Sequence, residues 1–398
     1  MDTDKRLFWP SQRLAWLQLR HMKQQTWSRP AGTVALFCLG LSAAACSVAP
    51  YYSQAVAGEF AMLSAARPIP EWLADPATPP ELRQRLELAR NIRAFASQEL
   101  ALPDNASYTR YADLHRSSAV WNVFATAELS LELKTWCYPL FGCASYRGYF
   151  RQADADALGQ QLAAQGMDVF VAPVPAYSTL GWFSDPLLNT FVGWPEPELA
   201  RLIFHELAHQ LVYVSNDTRF NESFATAVER EGVARWVATR NNPQLREQLA
   251  LEQSRHSELF ALLQQVRAQL QAVYESTAPQ AQRRERKAQI LAQLQTSYQA
   301  LRDQHWGGYE GYDGFFRTPW SNARLAALAV YQDDVPAFEA LLAREHGDLR
   351  RFFEDVKKLA ALAPGERNAR LRALAPVPSE APIRDTMRWQ PGAAARIP

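Results

Sequence analysis

The stretch from Arg201 to Glu229 reads RLIFHELAHQLVYVSNDTRFNESFATAVE. Apolar residues recur in its first half at helical spacing, and two prolines lie just upstream, where a helix can begin. On such a helix, His205 and His209 lie one turn apart and project from the same face. Two imidazoles placed in this way can share one tetrahedral zinc ion.

Two glutamates complete the predicted site. Glu206 follows the first histidine, which puts it beside the metal as a general base. Glu222 lies at the start of a second apolar helix, which Asp217 can cap. Antiparallel packing of the two helices would make Glu222 the third ligand and leave one coordination position open, as catalytic zinc requires. The alternative is a coincidental HExxH match on an ordinary helix, but the downstream NESFA segment independently favours the metal site.

These motifs resemble those of the gluzincin metallopeptidases, in which a glutamate opening an NExxS or NEGFA segment is the third ligand. NESFA (221–225) is most similar to the aminopeptidase N form, although the gap between the motifs is shorter here. Most of the chain, including the YRGYF and YSTLGWFSDP segments, resembles a proteobacterial lipoprotein family of predicted aminopeptidases. The resemblance implies peptide hydrolysis that depends on one Zn²⁺ ion.

The patterns along the chain and this resemblance predict a mostly helical α+β fold. It comprises a zincin-like metallopeptidase core with a small mixed sheet, a long helical hairpin and C-terminal helices. Alternation over Val120–Thr135 and the apolar run Met167–Val174 predict strands. Polar segments with helical periodicity, Gln244–Tyr274 and Gln280–His305, predict the hairpin.

The N-terminal sequence predicts export. An apolar run of thirteen residues, Thr33–Ala45, follows Lys23 and Arg29 and ends in small residues before Cys46. This order resembles a bacterial lipoprotein cleavage site with Cys46 as the acylated residue, although Ala43 stands where leucine is usual. A plain secretory signal or a single anchor helix is the alternative.

We therefore expect a lipid-anchored protein that faces the periplasm, at the outer rather than the inner membrane. Met22 would give the signal peptide an ordinary length if it were the true start. The predicted organisation is a signal region (1–45), a catalytic core (46–240), the hairpin with the C-terminal helices (241–375), and a disordered tail (376–398).

The mature chain contains two cysteines, Cys137 and Cys143, which bracket the short loop CYPLFGC. In an oxidising periplasm this spacing predicts a local disulfide. Two buried free thiols are the alternative, and a metal role has no further cysteine or histidine cluster to support it.

Composition limits the classes of partner. The 398 residues, 48% of them hydrophobic, can form one large domain or two modest ones. The net charge of +1 and the lack of a basic tract argue against binding nucleic acid. Peptides and the membrane are the expected partners, and the sequence does not identify a protein partner for the hairpin.

Further residues are candidates for contact with substrate. Gly181 and Trp182 precede the HExxH helix, where a strand could bind a peptide backbone, although an ordinary hairpin explains them as well. Asp185 could hold a substrate ammonium, or be solvated. Glu229 could orient a ligand histidine, or form an exposed ion pair. The candidate donors to the oxyanion are Tyr312, which we favour, Tyr309, Tyr213 and Tyr177.

The sequence thus favours a membrane-tethered zinc peptidase that acts as an aminopeptidase. Two alternatives remain open at this point. One is an endopeptidase that acts on envelope proteins. The other is a non-catalytic lipoprotein with structural zinc that binds a partner through the hairpin.

Overall fold

The computed structural model describes residues 51–138, 142–179, 183–329 and 334–375. The chain divides into two units, Met1–Val56 and Ala57–Pro398. The second unit belongs to the predicted class, mostly helical α+β with small sheets. The predicted signal region, Cys46 and the predicted tail lie outside the described residues, and the predicted domain division stays a prediction.

Short strands form the sheets of the described part of the chain. They are β1 (Arg67–Pro68), β2 (Arg110–Ala112), β3 (Val120–Ala127), β4 (Trp136–Tyr138), β5 (Gly142–Ala144), β6 (Arg147–Tyr149), β7 (Met167–Val174) and β8 (Leu187–Leu188). One sheet has the order β1-β2-β8, with β2 antiparallel to β1 and parallel to β8. In the second, β3 lies between β6 and β7 and is antiparallel to both.

The remaining strands, β4 and β5, form a hairpin that a disulfide closes. Cys137 pairs directly with Cys143 across the two strands, and their sulfur atoms are bonded. The predicted local disulfide is therefore confirmed.

Helices make up most of the described residues. They are α1, which ends at residue 65, α2 (Ile69–Ala74), α3 (Pro80–Gln98), α4 (Gln152–Ala164), α5 (Glu196–Leu211), α6 (Thr218–Thr239), α7 (Pro243–Glu275), α8 (Gln280–Ala300), α9 (Asp313–Phe316), α10 (Asn322–Ala329), α11 (Val335–Arg344), α12 (Leu349–Ala360) and α13 (Pro364–Leu374). A π-helical turn, Leu301–His305, follows α8. Among the described residues, no helix combines the length and hydropathy needed to cross a bilayer.

The central strand β3 is covered on both faces. Trp121, Val123 and Ala125 cluster with buried residues of α4, and Phe124 clusters with Ala323 of α10 on the other side. Successive side chains of a strand point to opposite faces, so β3 presents apolar side chains to α4 on one face and to α10 on the other.

Helices α5 and α6 begin at well-defined signals and pack antiparallel. Pro195 is the N-cap of α5, and the side chain of Asp217 caps α6 by accepting a hydrogen bond from the Phe220 amide at 3.1 Å. Near the far end of α6, the Trp236 indole donates to Glu196 in the first turn of α5 at 2.9 Å. The late turns of one helix therefore meet the early turns of the other.

Gly232 permits this close packing. A Cβ atom at position 232 would lie 2.7 Å from the ring of Phe204 on α5 and 2.8 Å from the side chain of Leu100. Real Cβ atoms do not approach neighbours so closely, so a larger residue would push the two helices apart.

The face of α6 turned away from α5 packs on the C-terminal helices. The ring of Phe224 lies 5.9 Å from that of Phe338 and 6.0 Å from that of Phe352, measured between centroids. Arg367 of α13, whose side chain is almost fully buried, donates to the capping residue Asp217 at 2.7 Å. The C-terminal helices thus hold the start of α6 in place.

The long hairpin of α7 and α8 has a hydrophobic cluster of its own. Tyr298 stacks on Phe316 with ring centroids 3.8 Å apart, and Trp306 closes the same cluster. Lys287 of α8 forms a 2.6 Å ion pair with Asp168 of β7, which fastens the hairpin to the central sheet.

Candidate metal centre

The predicted ligands come together at the contact between α5 and α6. His205 and His209 lie one turn apart on α5, and Glu222 lies in the first turns of α6. One ligand atom from each side chain falls within 4.8 Å of the others. In the described part of the chain, these three residues form a group that could hold a metal ion.

The distances between ligand atoms suit one tetrahedral ion. The Nε2 atoms of His205 and His209 are 3.1 Å apart, and Oε2 of Glu222 lies 3.2 Å and 3.7 Å from them, respectively. Ligand atoms about 2.0–2.2 Å from a common tetrahedral zinc lie roughly 3.3–3.6 Å from one another. The observed separations bracket this range, so the donor set fits the ion.

The donors are also screened from solvent. The side chains of His205, His209 and Glu222 are 14%, 7% and 16% exposed. Nδ1 of His209 is buried without a hydrogen-bond partner in the described part of the chain. A buried imidazole with an unpaired nitrogen costs free energy that a bond to a metal through the other nitrogen can offset.

Electrostatics at the site favour a cation. Burial opposes ionisation of Glu222, but His209 and His205 outweigh it and lower the pKa of Glu222 to about 2. Burial likewise opposes protonation of His205, but its hydrogen bonds to Glu222 and Glu229 outweigh burial and raise the pKa of His205 well above its ordinary value. A metal ion bound here would displace the proton from the imidazole.

Glu229 fixes the orientation of the first histidine. Its carboxylate lies 2.8 Å from Nδ1 of His205, and its other oxygen is 3.6 Å from Arg201. A carboxylate at Nδ1 selects the tautomer whose proton is on Nδ1, which leaves the Nε2 lone pair free to face His209 and Glu222. Of the two interpretations of Glu229, the geometry corresponds to the one in which it orients a histidine.

Asparagine side chains hold the connection between the two helices. Asn221, next to the predicted ligand, is buried and makes two 2.8 Å hydrogen bonds with the backbone of Val214, one as donor and one as acceptor. Asn216 has a left-handed backbone with φ of 65° and accepts from the amide of Cys143 at 2.7 Å. The disulfide hairpin thus rests on the turn that joins α5 and α6.

Glu206 is half-buried next to the site and makes no hydrogen bond within the described part of the chain. Its charge is felt by Tyr108, Tyr146 and Asp185, since it raises the pKa of each of them. A free carboxylate at this position has the access to water that a general base needs.

Tyr146 was not identified from the sequence. Burial raises its pKa, and Glu222, Tyr213, Tyr177 and Glu206 raise it further. Its phenol therefore interacts electrostatically with both the candidate ligand Glu222 and the candidate base Glu206. Its only sequence signal is its place three residues after the disulfide cysteine of β5, which gives no reason to expect it at a site formed by residues 205–222.

The other predicted tyrosines divide into two groups. Tyr177 and Tyr213 interact electrostatically with Tyr146, and Tyr213 is 51% exposed. Tyr312 and Tyr309 lie in the hairpin cluster, and the ring of Tyr312 packs on that of Trp306. Burial raises the pKa of Tyr312 to about 12, and the charged groups that act on it include Glu252 and Glu198.

Of the residues predicted to bind substrate, Gly181 and Trp182 lie outside the described residues. Asp185 is described and is 1% exposed, so the solvated alternative for its carboxylate is wrong. It accepts hydrogen bonds from Thr179, and Gln210, which follows the second histidine, contacts it at 3.2 Å.

A comparison with protein families covers most of the chain. Residues 50–371 match the family described as "Putative aminopeptidase". The chain belongs to this family. No curated protein and no solved structure matches the chain. Family membership indicates peptidase activity and a peptide substrate, and it does not by itself specify the metal.

Replacing Glu229 tests whether its contact with His205 strengthens metal binding. Glu229→Ala removes the partner of Nδ1 on His205, so the imidazole can rotate or change tautomer. We expect zinc affinity, measured by competition with a chromogenic chelator, to fall about 10- to 100-fold. Glu231→Ala, on the same helix and paired with Arg235, is the control and should bind zinc like the wild type. Unchanged affinity in Glu229→Ala would show that the contact has no role in metal binding.

Proposed function

We propose that this protein is a zinc-dependent aminopeptidase. The observation that carries the proposal is the group of three ligand atoms, two histidine nitrogens and one carboxylate oxygen, with the free carboxylate of Glu206 beside it. His205, His209 and Glu222 would hold the ion, and three protein ligands leave one position for water or substrate. Membership of an aminopeptidase family supports the same reaction class.

Each residue has a defined part in the proposed chemistry. A zinc ion held by His205, His209 and Glu222 would supply Lewis-acid chemistry at this site. Glu206 accepts a proton from the attacking water and later passes it to the leaving amine. Glu229 holds His205 in the tautomer that exposes Nε2.

Tyr146 is our candidate for the donor that stabilises the oxyanion. It is partly buried and interacts with both Glu222 and Glu206, and its raised pKa keeps the phenol protonated at neutral pH. A protonated phenol next to the scissile carbonyl can donate a hydrogen bond to the negative oxygen of the transition state. The disulfide hairpin, which ends just before Tyr146, would limit its movement.

Two alternative functions make different predictions. An envelope endopeptidase would cleave a peptide equally well whether its amino terminus is free or acetylated. A non-catalytic lipoprotein would bind zinc in a closed site and bind a partner through the hairpin of α7 and α8. The free carboxylate of Glu206 favours catalysis, because a structural zinc site has no use for it.

Substitutions in the HELAHQ and NESFA segments should separate ligands from base. His205→Ala, His209→Ala and Glu222→Ala each remove one of three ligands, so we expect zinc to be lost from the purified protein. Glu206→Gln is nearly isosteric and removes no ligand, so zinc should remain while peptide hydrolysis falls about 100- to 10,000-fold. Metal content by mass spectrometry and hydrolysis of an aminoacyl substrate are the two measurements.

His305→Ala is the matched control, because His305 is exposed in the π-helical turn. It should keep both zinc and activity. Full activity in Glu206→Gln, or stoichiometric zinc in Glu222→Ala, would contradict the assigned roles.

The proposed role of Tyr146 is tested by removing its hydroxyl. In Tyr146→Phe, kcat should fall about 100- to 1,000-fold with little change in KM, because the donor acts on the transition state. Tyr213→Phe removes a hydroxyl from an exposed neighbour and should have a much smaller effect. A normal kcat in Tyr146→Phe would show that a group other than Tyr146 donates the hydrogen bond to the oxyanion.

We further propose that the protein is a periplasm-facing lipoprotein, tethered at the outer membrane through Cys46. The motivation is the order of charged, apolar and small residues before this cysteine. Metabolic labelling with a fatty-acid analogue should mark the wild-type chain and leave Cys46→Ala unlabelled. Label that remains on Cys46→Ala would overturn the assignment.

A further inference from the structure

A second group of acidic residues interacts with Glu206. Asp185 is 1% exposed, and the charge of Glu206 raises its pKa. The charge of Asp185 in turn raises the pKa of Glu59 of α1, after the larger effect of burial. No lysine or arginine forms an ion pair with Glu59 or Asp185 in the ranges that the structure describes.

Glu59 is the unusual member of this group. Both of its carboxylate oxygens are buried, and neither has a hydrogen-bond partner among the described residues. Burial, and then Asp185, raise the pKa of Glu59 to about 7. Burial likewise raises the pKa of Asp185 to about 6, although hydrogen bonds from Thr179 oppose it. Two buried carboxyl groups without a cation are costly, and a positive ligand would relieve that cost.

Tyr108 supplies a third, independent observation. Its side chain is 2% exposed, and its hydroxyl is buried with no hydrogen-bond partner in the described part of the chain. After burial, the charges that raise its pKa most are those of Glu206 and Asp185, so the phenol interacts electrostatically with both carboxylates. The backbone holds it there: Tyr108 has a left-handed φ of 63°, and its amide donates to the Asp185 carbonyl at 2.7 Å.

We propose that Glu59, Asp185 and Tyr108 form the subsite that binds the primary ammonium group at the amino terminus of a peptide. This inference rests on the proposed function, because it assumes that the peptide bond to be cleaved lies at the His205, His209 and Glu222 group. It makes the protein an exopeptidase that removes the N-terminal residue of chains with a free amine.

The number and type of acceptors match the ligand. A primary ammonium has three N–H donors and one positive charge. Glu59 and Asp185 supply carboxylate oxygens and Tyr108 a hydroxyl oxygen, so each N–H can meet a different group. Within the described part of the chain, the carboxylate of Glu59 and the hydroxyl of Tyr108 have no hydrogen bond to give up, which keeps the cost of binding low.

Position supports the same assignment. The side chain of Gln210 donates to Asp185 at 3.2 Å, and Gln210 directly follows His209 on α5, so one residue of α5 that contacts the acidic group is next to a candidate ligand. In a peptide with a free amine, the amino group lies one residue before the first scissile bond. An ammonium subsite next to the metal group would therefore select cleavage after the first residue.

The test is a double-mutant cycle that removes the carboxylate of Glu59 from the protein and the α-amino group from the substrate, singly and together. The substrates are leucyl-glycyl-glycine and the isocaproyl analogue, which lacks only the α-amino group, and the proteins are the full-length wild type and Glu59→Gln. For the wild type we expect kcat/KM to be about 100-fold higher with the amine. In Glu59→Gln that preference should shrink about tenfold or more, because a charged hydrogen bond is lost only with the amine substrate.

The control variant is Glu71→Gln, which removes a carboxylate from an exposed position on α2 and should keep the wild-type preference. Glu59→Gln loses no hydrogen bond, so it should fold normally, and circular dichroism checks this. Calorimetric titration of both peptides into zinc-loaded Glu206→Gln, with and without Glu59→Gln, measures binding when hydrolysis is slow.

The outcomes distinguish the two proposals. Hydrolysis of both peptides at equal rates, or a preference that Glu59→Gln leaves unchanged, overturns the ammonium subsite while zinc-dependent hydrolysis stands. Tighter binding of the peptide with the free amine supports the subsite if Glu59→Gln abolishes this difference in binding. That conclusion holds even if the wild type hydrolyses neither peptide, and the lack of hydrolysis then overturns only the proposed function. If the protein neither prefers the amine in binding nor hydrolyses either peptide, the ammonium subsite and the proposed function are both overturned.

Discussion

Glu222 and Glu229 lie two turns apart on α6, and both contact His205 of α5. The carboxylate of Glu222 meets Nε2 of the imidazole, and that of Glu229 meets Nδ1. This contact fixes the register of the two helices and the direction in which the imidazole points, and the candidate site depends on both. A shift of one residue along α6 would turn both carboxylates away from α5, since successive residues of a helix project about 100° apart. Much of the remaining fold acts to prevent such a shift. Asp217 caps α6, and Gly232 lets the helices approach.

Polar groups gather on one side of this contact and apolar groups on the other. Among the polar groups, the carboxylates of Glu222, Glu206 and Asp185 each interact electrostatically with a tyrosine. On the apolar side, the aromatic rings of α6 pack on the C-terminal helices. The buried charges therefore have a rigid support, which a site of this kind needs if its ligands are to keep their spacing without an ion.

Much of this could be predicted from the sequence, because the signals are local. The run Met167–Val174 is a strand as predicted, the helical hairpin forms, and Asp217 caps α6. The alternation predicted as strand over Val120–Thr135 is only partly right, since β3 ends at Ala127 and a turn follows. Tyr146, Tyr108 and Glu59 could not be found, because their relation to the HExxH helix arises from tertiary contacts over long sequence separations.

X-ray absorption at the zinc edge on the purified full-length protein, combined with metal content, tests most directly whether His205, His209 and Glu222 together bind one zinc ion. We expect one zinc per chain, bound by two imidazole nitrogens at about 2.0–2.1 Å and by oxygen ligands from a carboxylate and water. A protein without zinc after purification under metal-replete conditions, or a zinc ion with sulfur ligands or a closed shell of four protein ligands, would contradict it.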